Sequence, residues 1–561
     1  MAGTHGEGLR RGMAAASTDG LYGRFGRLFE GLTGPDYVDD DLFALAKTMI
    51  KDDNGKSFNV ADGDENDMIP AGYTYFGQFV DHDITFDITS AREKAEDPDA
   101  TANFRSSALD LDSVYGLGLG GHAFLYDNNG LFNLSAHDIT PPEPGPVQTT
   151  HDHFRASIPS GAPADSKAGP ALIGDPRNDE NTIVAQVHLA FVAFHNRIMT
   201  TDSLLGPRRS ATNPQAPSDE VRFQRAAQIA RHHYQWAVVH DYLKRICDPQ
   251  VYARYVHLDT RPALRYYKKP PDTALYSYMP IEFSVAAYRL GHSMVRPSYA
   301  LNALVGTSDR VPGKTRVPVF SASKGELDNL NGFRQIPGAW GIDWGYFFDA
   351  LPGQKPKGFK GPVWQPSYRM DSLLVDPLSD LPDHAGLPAA ERNLAFLNLR
   401  RGAHFRLPSA EQVASRLDLQ VAEPGQSGKK AHFLLMDDKE IWSAGSRMYS
   451  KGKDEAIDTK RAERKALAKI FAGRTPLWYY VLREAEFYSV KDKDDIFGGR
   501  HLGPMGSVII LETFLGLLDA DPMSFLNDAG WRPSPVIFGG SDPLSFGVPQ
   551  LIRWALSGQS S

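Results

Sequence analysis

Segments of helical period recur along nearly the whole chain, whereas strand signals are few and short, and this restricts the fold to a mainly α body. The clearest helical stretches are Ala71–Phe86, Glu180–Thr201, Asp219–Ile246, Pro280–Met294, Ala389–Arg401 and Asp458–Val490. Between them run long segments rich in Gly, Pro, Asp and Ser, such as His137–Pro170 and Leu351–Arg369. Loops of that length are uncommon in a compact domain unless they wrap a site. Neither an internal repeat nor a low-complexity linker cuts the chain. The expectation is one large helical domain with long wrapping loops and few short strands.

Composition narrows the function classes. The chain has 561 residues, 42% of them hydrophobic, and a formal charge of −8 without a long run of either sign. A nucleic-acid surface needs clustered Lys and Arg, so none is expected. Cys247 is the only cysteine, which rules out an intrachain disulfide, a thiolate-held cluster and a Cys-rich zinc site. The N-terminal twenty residues lack an apolar core of signal-peptide length. The most apolar stretch, Met505–Leu518, is too short to span a bilayer and contains Glu512, so it reads as a buried helix. A soluble chain is expected, either cytoplasmic or secreted without a recognisable signal. With no export signal, the sequon at Asn133 carries little weight.

Five short motifs place polar side chains where neutral ones would pack at lower cost. In GQFVDHD, Gln78 shares a helix face with Asp81 and His82, while Asp83 lies about 100° round the axis from His82. In GDPRNDEN, Pro176 suits a helix start, and Arg177 and Glu180 stand three apart. On its own that pair reads equally well as a surface ion pair of little worth. RLGHSMVRP carries His292 after an apolar run, and LNLRRGAHFRLP sets Asn398 into an apolar face. In SSALDLDSVYG, oxygen-bearing Ser106, Asp110 and Asp112 alternate as a loop around a hard cation would require. The pairs His232/His233 and His151/His153 lack helical zinc-site spacing and read as structural or surface, as does His195.

Taken together and in this order, the five motifs resemble the animal-type haem peroxidases, the peroxidase–cyclooxygenase superfamily, over about Asp40 to Gly499. The paucity of cysteine makes the bacterial members the nearest in appearance. The resemblance implies haem b and Ca2+. It puts His82 at the distal histidine, Arg177 at the distal arginine and Gln78 at the glutamine that holds distal water or a small anion. His292 falls on the axial iron ligand, Asn398 on the acceptor of its ring N–H, and Arg289 and Arg401 near the haem propionates. Asp81 and Glu180 match the carboxylates that form ester bonds to haem methyl groups. Asp83 matches a calcium ligand, joined by Ser106, the Ala108 carbonyl, Asp110 and Asp112. The implied boundaries are an N-terminal extension 1–35, a haem peroxidase domain 36–545 and a C-terminal tail 546–561.

The implied reaction is reduction of hydrogen peroxide with oxidation of halides, thiocyanate or phenolic donors. Asn181 stands where myeloperoxidase has the methionine of its sulfonium link to haem. Asparagine has no sulfur, so weak chloride oxidation is expected. A cyclooxygenase-like fatty-acid dioxygenase is the alternative enzyme, although Arg289 occupies the radical-tyrosine position and Tyr288 is one residue off, pointing about 100° away. A haem-loaded adhesive protein with little turnover is the alternative from another class. Neither a nucleic acid nor a membrane span is expected.

Overall fold

The computed structural model describes residues 25–51, 65–86, 103, 105–156, 169–209, 212–269, 277–306, 316–320, 329–356, 360–417, 436, 438–442, 455–488 and 498–557. Helices dominate, and the strands among the described residues form four two-stranded pairs with no larger sheet. Mainly α architecture with long loops is therefore what the chain adopts. No described helix is long and apolar enough to cross a membrane.

Pro504–Ala520 runs through the centre, and every residue from Pro504 to Leu518 is buried. An all-round apolar helix has no stable place except a core. Its one buried acid, Glu512, is satisfied by Tyr255 Oη at 2.7 Å and by the backbone N–H groups of Arg265, Tyr266 and Tyr267, each at 2.9 Å. At its N-terminus, Glu484 accepts from the N–H of Met505 and Gly506, donors the helix itself cannot satisfy.

Three expected helices differ. Ala389–Arg401 is split at Asn393, which caps Leu394–His404 by accepting from Phe396 N–H at 3.0 Å and so separates it from Ala389–Arg392. The 458–490 stretch is split into Glu455–Phe471 and Leu477–Tyr488, because Gly473 turns left-handed (φ +67°) and Pro476 follows. Val490 lies outside the described residues. The segment before His292 is irregular, with a wide turn at Glu282–Ala286, a tight one at Ala287–Leu290, then Gly291–Met294. Inferences there from ideal helical angles do not hold.

Both expected domain boundaries fall inside continuous packing. Phe25 and Gly26 pair in parallel with Met279 and Pro280, and the Glu282 carboxylate accepts from the N–H of Leu28 and Phe29. Beyond residue 545, the Val548–Leu556 helix buries Val548, Leu551 and Ile552, and its Trp554 ring lies under Arg197 of the Thr182–Thr200 helix at 4.6 Å. These terminal pieces carry apolar surface that the central body covers.

Candidate active site

His82 sits on Gly72–Ile84, the helix carrying the first motif, and eleven of its thirteen residues are buried. Gly77 is required there, since a Cβ would meet Tyr242 Oη at 2.3 Å. The second motif forms a tight turn, Pro176–Asp179, and the long helix begins only at Thr182, after Asn181 caps it by accepting from Ile183 N–H at 2.8 Å. The turn is anchored at its start by Asp175, whose side chain accepts from Arg177 N–H at 2.9 Å, and at its end by Arg155, which pairs with Asp179 at 2.7 and 2.8 Å.

A cavity of about 990 Å³ opens between these elements and is lined by Gln78, Asp81, His82, Arg177 and Glu180 together with Arg289, His292, Asn398 and Arg401. All nine catalytic and haem-binding residues expected from the sequence thus share one chamber. His82 Nδ1 lies 2.9 Å from Asn178 Oδ1, and its Nε2 lies 3.6 Å from Glu180 Oε1. Burial, aided by the Arg177 cation, pulls the His82 imidazole down to about 4, so it is neutral at pH 7. Glu180 Oε1 also accepts from Gln78 Nε2. Asp81 Oδ1 accepts from Thr85 Oγ1 at 2.9 Å.

Arg177 is held by His82, Thr85 and Asp175, partners that an isolated reading of the motif did not foresee. Its Nη2 donates to the His82 and Thr85 carbonyls at 2.9 and 2.8 Å and to Asp175 Oδ2 at 2.7 Å, and the guanidinium lies over the Phe86 ring at 4.5 Å. Asp175 is fully buried and also takes a bond from Arg105, which in turn binds Asp112 at 2.8 Å. Burial works to raise the Asp175 carboxyl, but Arg105 and Arg177 outweigh it and hold it below the usual carboxylate range.

On the other helices, Asn398 Nδ2 lies 2.8 Å from His292 Nδ1. Turning the amide over lets its oxygen accept the Nδ1 proton and leaves the Nε2 lone pair to act as a ligand. Low-polarity surroundings, then the Arg289 cation, pull His292 down to about 3. Burial pushes Arg401 down to about 10, a penalty that an anion such as a carboxylate would relieve. Two neutral imidazoles, cations near the rim and a chamber at the upper end of ordinary cofactor-site volumes suit a haem.

The expected calcium loop lies against the back of the His82 helix. Asp83 is buried and accepts from the N–H of Leu111 at 3.1 Å and Ser113 at 3.2 Å, while Ser106 Oγ donates to Asp110 Oδ2 at 3.0 Å. Burial, then repulsion from Asp110 and Asp112, pushes Asp83 up to about 8. Ser107 and Leu111 hold left-handed backbone (φ +48° and +58°), a costly conformation for residues with side chains. Among the described residues no group of three or more His, Cys, Asp or Glu side chains is set to hold a metal. Arg105 and backbone donors occupy much of the acids' capacity.

His195 and the pairs His232/His233 and His151/His153 make contacts within the scaffold. His195 bonds Tyr115 Oη and the Gly130 carbonyl, both at 3.1 Å. His233 bonds the Ile229 carbonyl and Ser534 N–H, and His232 the Met523 carbonyl. His151 meets Thr150 Oγ1, and His153 packs edge-on against His188. Sequence reading missed Asn178, Asp175 and Arg105 around the site. Asp175 carried a usable signal, since an acid directly before Pro caps the following turn. Tyr288 was expected to point away; it lines the cavity and donates to the Gly77 carbonyl at 3.2 Å.

Residues 86–320 match the family described as animal haem peroxidase, a span that contains Arg177, Glu180 and His292 but neither His82 nor Asn398. Thyroid peroxidase of Rattus norvegicus is 27% identical over 213 residues, which are 36% of this chain and only 20% of that protein's length. Among solved structures, peroxidase A of Dictyostelium discoideum superposes with a TM-score of 0.56 at 14% identity, covering 95% of each chain. The fatty acid alpha-dioxygenase of Arabidopsis thaliana gives 0.52 at 12% identity, covering 96% of this chain and 76% of that one. Residues 86–320 are thus similar in sequence to the animal haem peroxidases, and nearly the whole chain shares the fold of peroxidase A of Dictyostelium discoideum.

Proposed function

We propose that the chain is a haem peroxidase that reduces H2O2 and oxidises halides, thiocyanate or phenolic donors, with chloride the poorest of them. The observation that carries this reading is the meeting of His82, Arg177, His292 and Asn398, from four separate segments, around one cavity. Haem, when bound there, would supply the redox-active iron that peroxide reduction needs. His292 is the residue to ligate it, with Asn398 setting the ring orientation. Arg289 and Arg401 are placed to bind its carboxylates, and Asp81 and Glu180 are the candidates for ester bonds. His82 Nε2 takes a proton from the incoming peroxide and gives it to the departing oxygen, which leaves as water. Arg177 holds fixed positive charge where negative charge develops. Calcium, bound by Asp83, Ser106, Ala108, Asp110 and Asp112, would relieve the repulsion among those acids and brace the His82 helix.

Stopped-flow mixing of the haem-loaded protein with H2O2 tests the reading: a rapid change in haem absorption, lost in His82→Ala, is expected. General acid–base catalysis is worth about 10²–10⁴-fold, so wild-type rates in that variant refute the role. With Asn181 in place of a sulfur ligand, bromide and iodide should turn over well at pH 7 and chloride poorly. Equal chloride and bromide rates would refute that order.

Fatty-acid dioxygenation is the second reading, favoured by the cavity-lining position of Tyr288 and by the dioxygenase-like fold. Oxygen uptake with a polyunsaturated fatty acid, without added peroxide and abolished in Tyr288→Phe, would establish it; no uptake dismisses it.

A further inference from the structure

Asn178 is completely buried, and its side chain makes a single hydrogen bond among the described residues: Oδ1 to His82 Nδ1 at 2.9 Å. Its amide nitrogen is buried with no partner. Burying an amide half-satisfied is costly, so nothing in the scaffold's own bonding accounts for an asparagine at this point. The backbone that carries it is fixed on all sides. Asn178 N–H donates to the Asp175 carbonyl at 3.0 Å, Arg155 grips the next residue, Asp179, and Phe333 N–H donates to the Asp179 carbonyl at 2.7 Å.

We infer that Asn178 is a positioning residue that selects the reactive tautomer of His82. An amide oxygen only accepts, so Nδ1 must carry the imidazole proton and Nε2 must present its lone pair to the cavity. The opposite tautomer would aim an N–H at the peroxide and leave no base. The bond also stops ring rotation, holding Nε2 3.6 Å from Glu180 Oε1, which Gln78 binds as well. This deepens the peroxidase reading and rests on His82 being its proton acceptor.

The test uses the haem-loaded protein and a readout apart from turnover, the rate of cyanide association, because HCN must surrender its proton to a distal base before the anion binds. Asn178→Leu should slow both cyanide association and the reaction with H2O2 by about 10- to 100-fold, the usual cost of losing the partner that orients a histidine. The later donor-oxidation step should keep its rate. Asn178→Asp, which retains an acceptor oxygen, should recover most of the loss. Independently of any variant, two-bond ¹H–¹⁵N correlations in the ring-labelled, CO-bound ferrous wild type should report His82 protonated at Nδ1. Wild-type cyanide and peroxide rates in a folded Asn178→Leu, no recovery in a folded Asn178→Asp, or a His82 ring protonated at Nε2 would each overturn the assignment. Unchanged rates in His82→Ala would instead overturn the underlying reading.

Discussion

Asp175→Asn is the sharpest test of how Arg177, the proposed distal arginine, is held. Asp175 accepts from the Arg177 backbone at 2.9 Å, from its Nε at 3.2 Å and Nη2 at 2.7 Å, and from Arg105. The substitution replaces one acceptor oxygen with a donor and removes the charge that neutralises two guanidinium groups. Breaking a buried pair by removing one partner costs about 3–5 kcal/mol. Partial compensation argues for the lower end: Arg105 keeps Asp112, and Arg177 keeps the His82 and Thr85 carbonyls. A loss of about 3 kcal/mol, roughly two powers of ten in the folded-to-unfolded ratio, is expected in urea unfolding at pH 7 followed by far-UV circular dichroism. The sign with pH follows from the depressed folded-state pKa. Asp175 stabilises the wild type fully above its unfolded value near pH 4, and the benefit fades as pH falls toward the lower folded value. The gap between wild type and variant should therefore hold from about pH 5 to 8 and shrink below about pH 4. A loss under about 1 kcal/mol, the range of exposed pairs, or a gap undiminished at pH 3 would refute this account.

Three further outcomes follow from the same geometry. His292→Ala should lose haem or activity, and a fully loaded, active variant would rule out axial ligation. Stripping divalent cations with a chelator should lower the melting temperature and added Ca2+ should restore it, whereas indifference to both would remove calcium from the Asp83 loop. Denaturing acid extraction followed by peptide mass analysis should leave haem attached to fragments containing Asp81 or Glu180; complete release of free haem would exclude the ester bonds.

Four motif residues were legible because each is a polar side chain set in an apolar run, and such a choice needs a reason that the chain itself advertises. Gln78, His82, His292 and Asn398 all stand out in that way and all line the cavity. The bonds between segments were not legible. Nothing in the spacing of Arg105, Asp175 and Arg177 announces that a loop, a cap and a cavity-lining cation share one carboxylate, since Arg105 and Asp175, 70 positions apart, are brought together only by tertiary packing. Tyr288 shows the complementary failure. A rotation of 100° per residue takes it away from the site in an ideal helix, but the wide turn at Glu282–Ala286 and the tight one at Ala287–Leu290 reset the phase. Such a departure from α geometry is itself informative, because wide turns inside helices cluster where function demands a side-chain direction that regular winding denies. Here the reset brings Tyr288 to the cavity wall and its hydroxyl to the carbonyl of Gly77, the residue preceding Gln78. The chamber's two halves are thus joined by a contact that periodicity, applied consistently, would have ruled out.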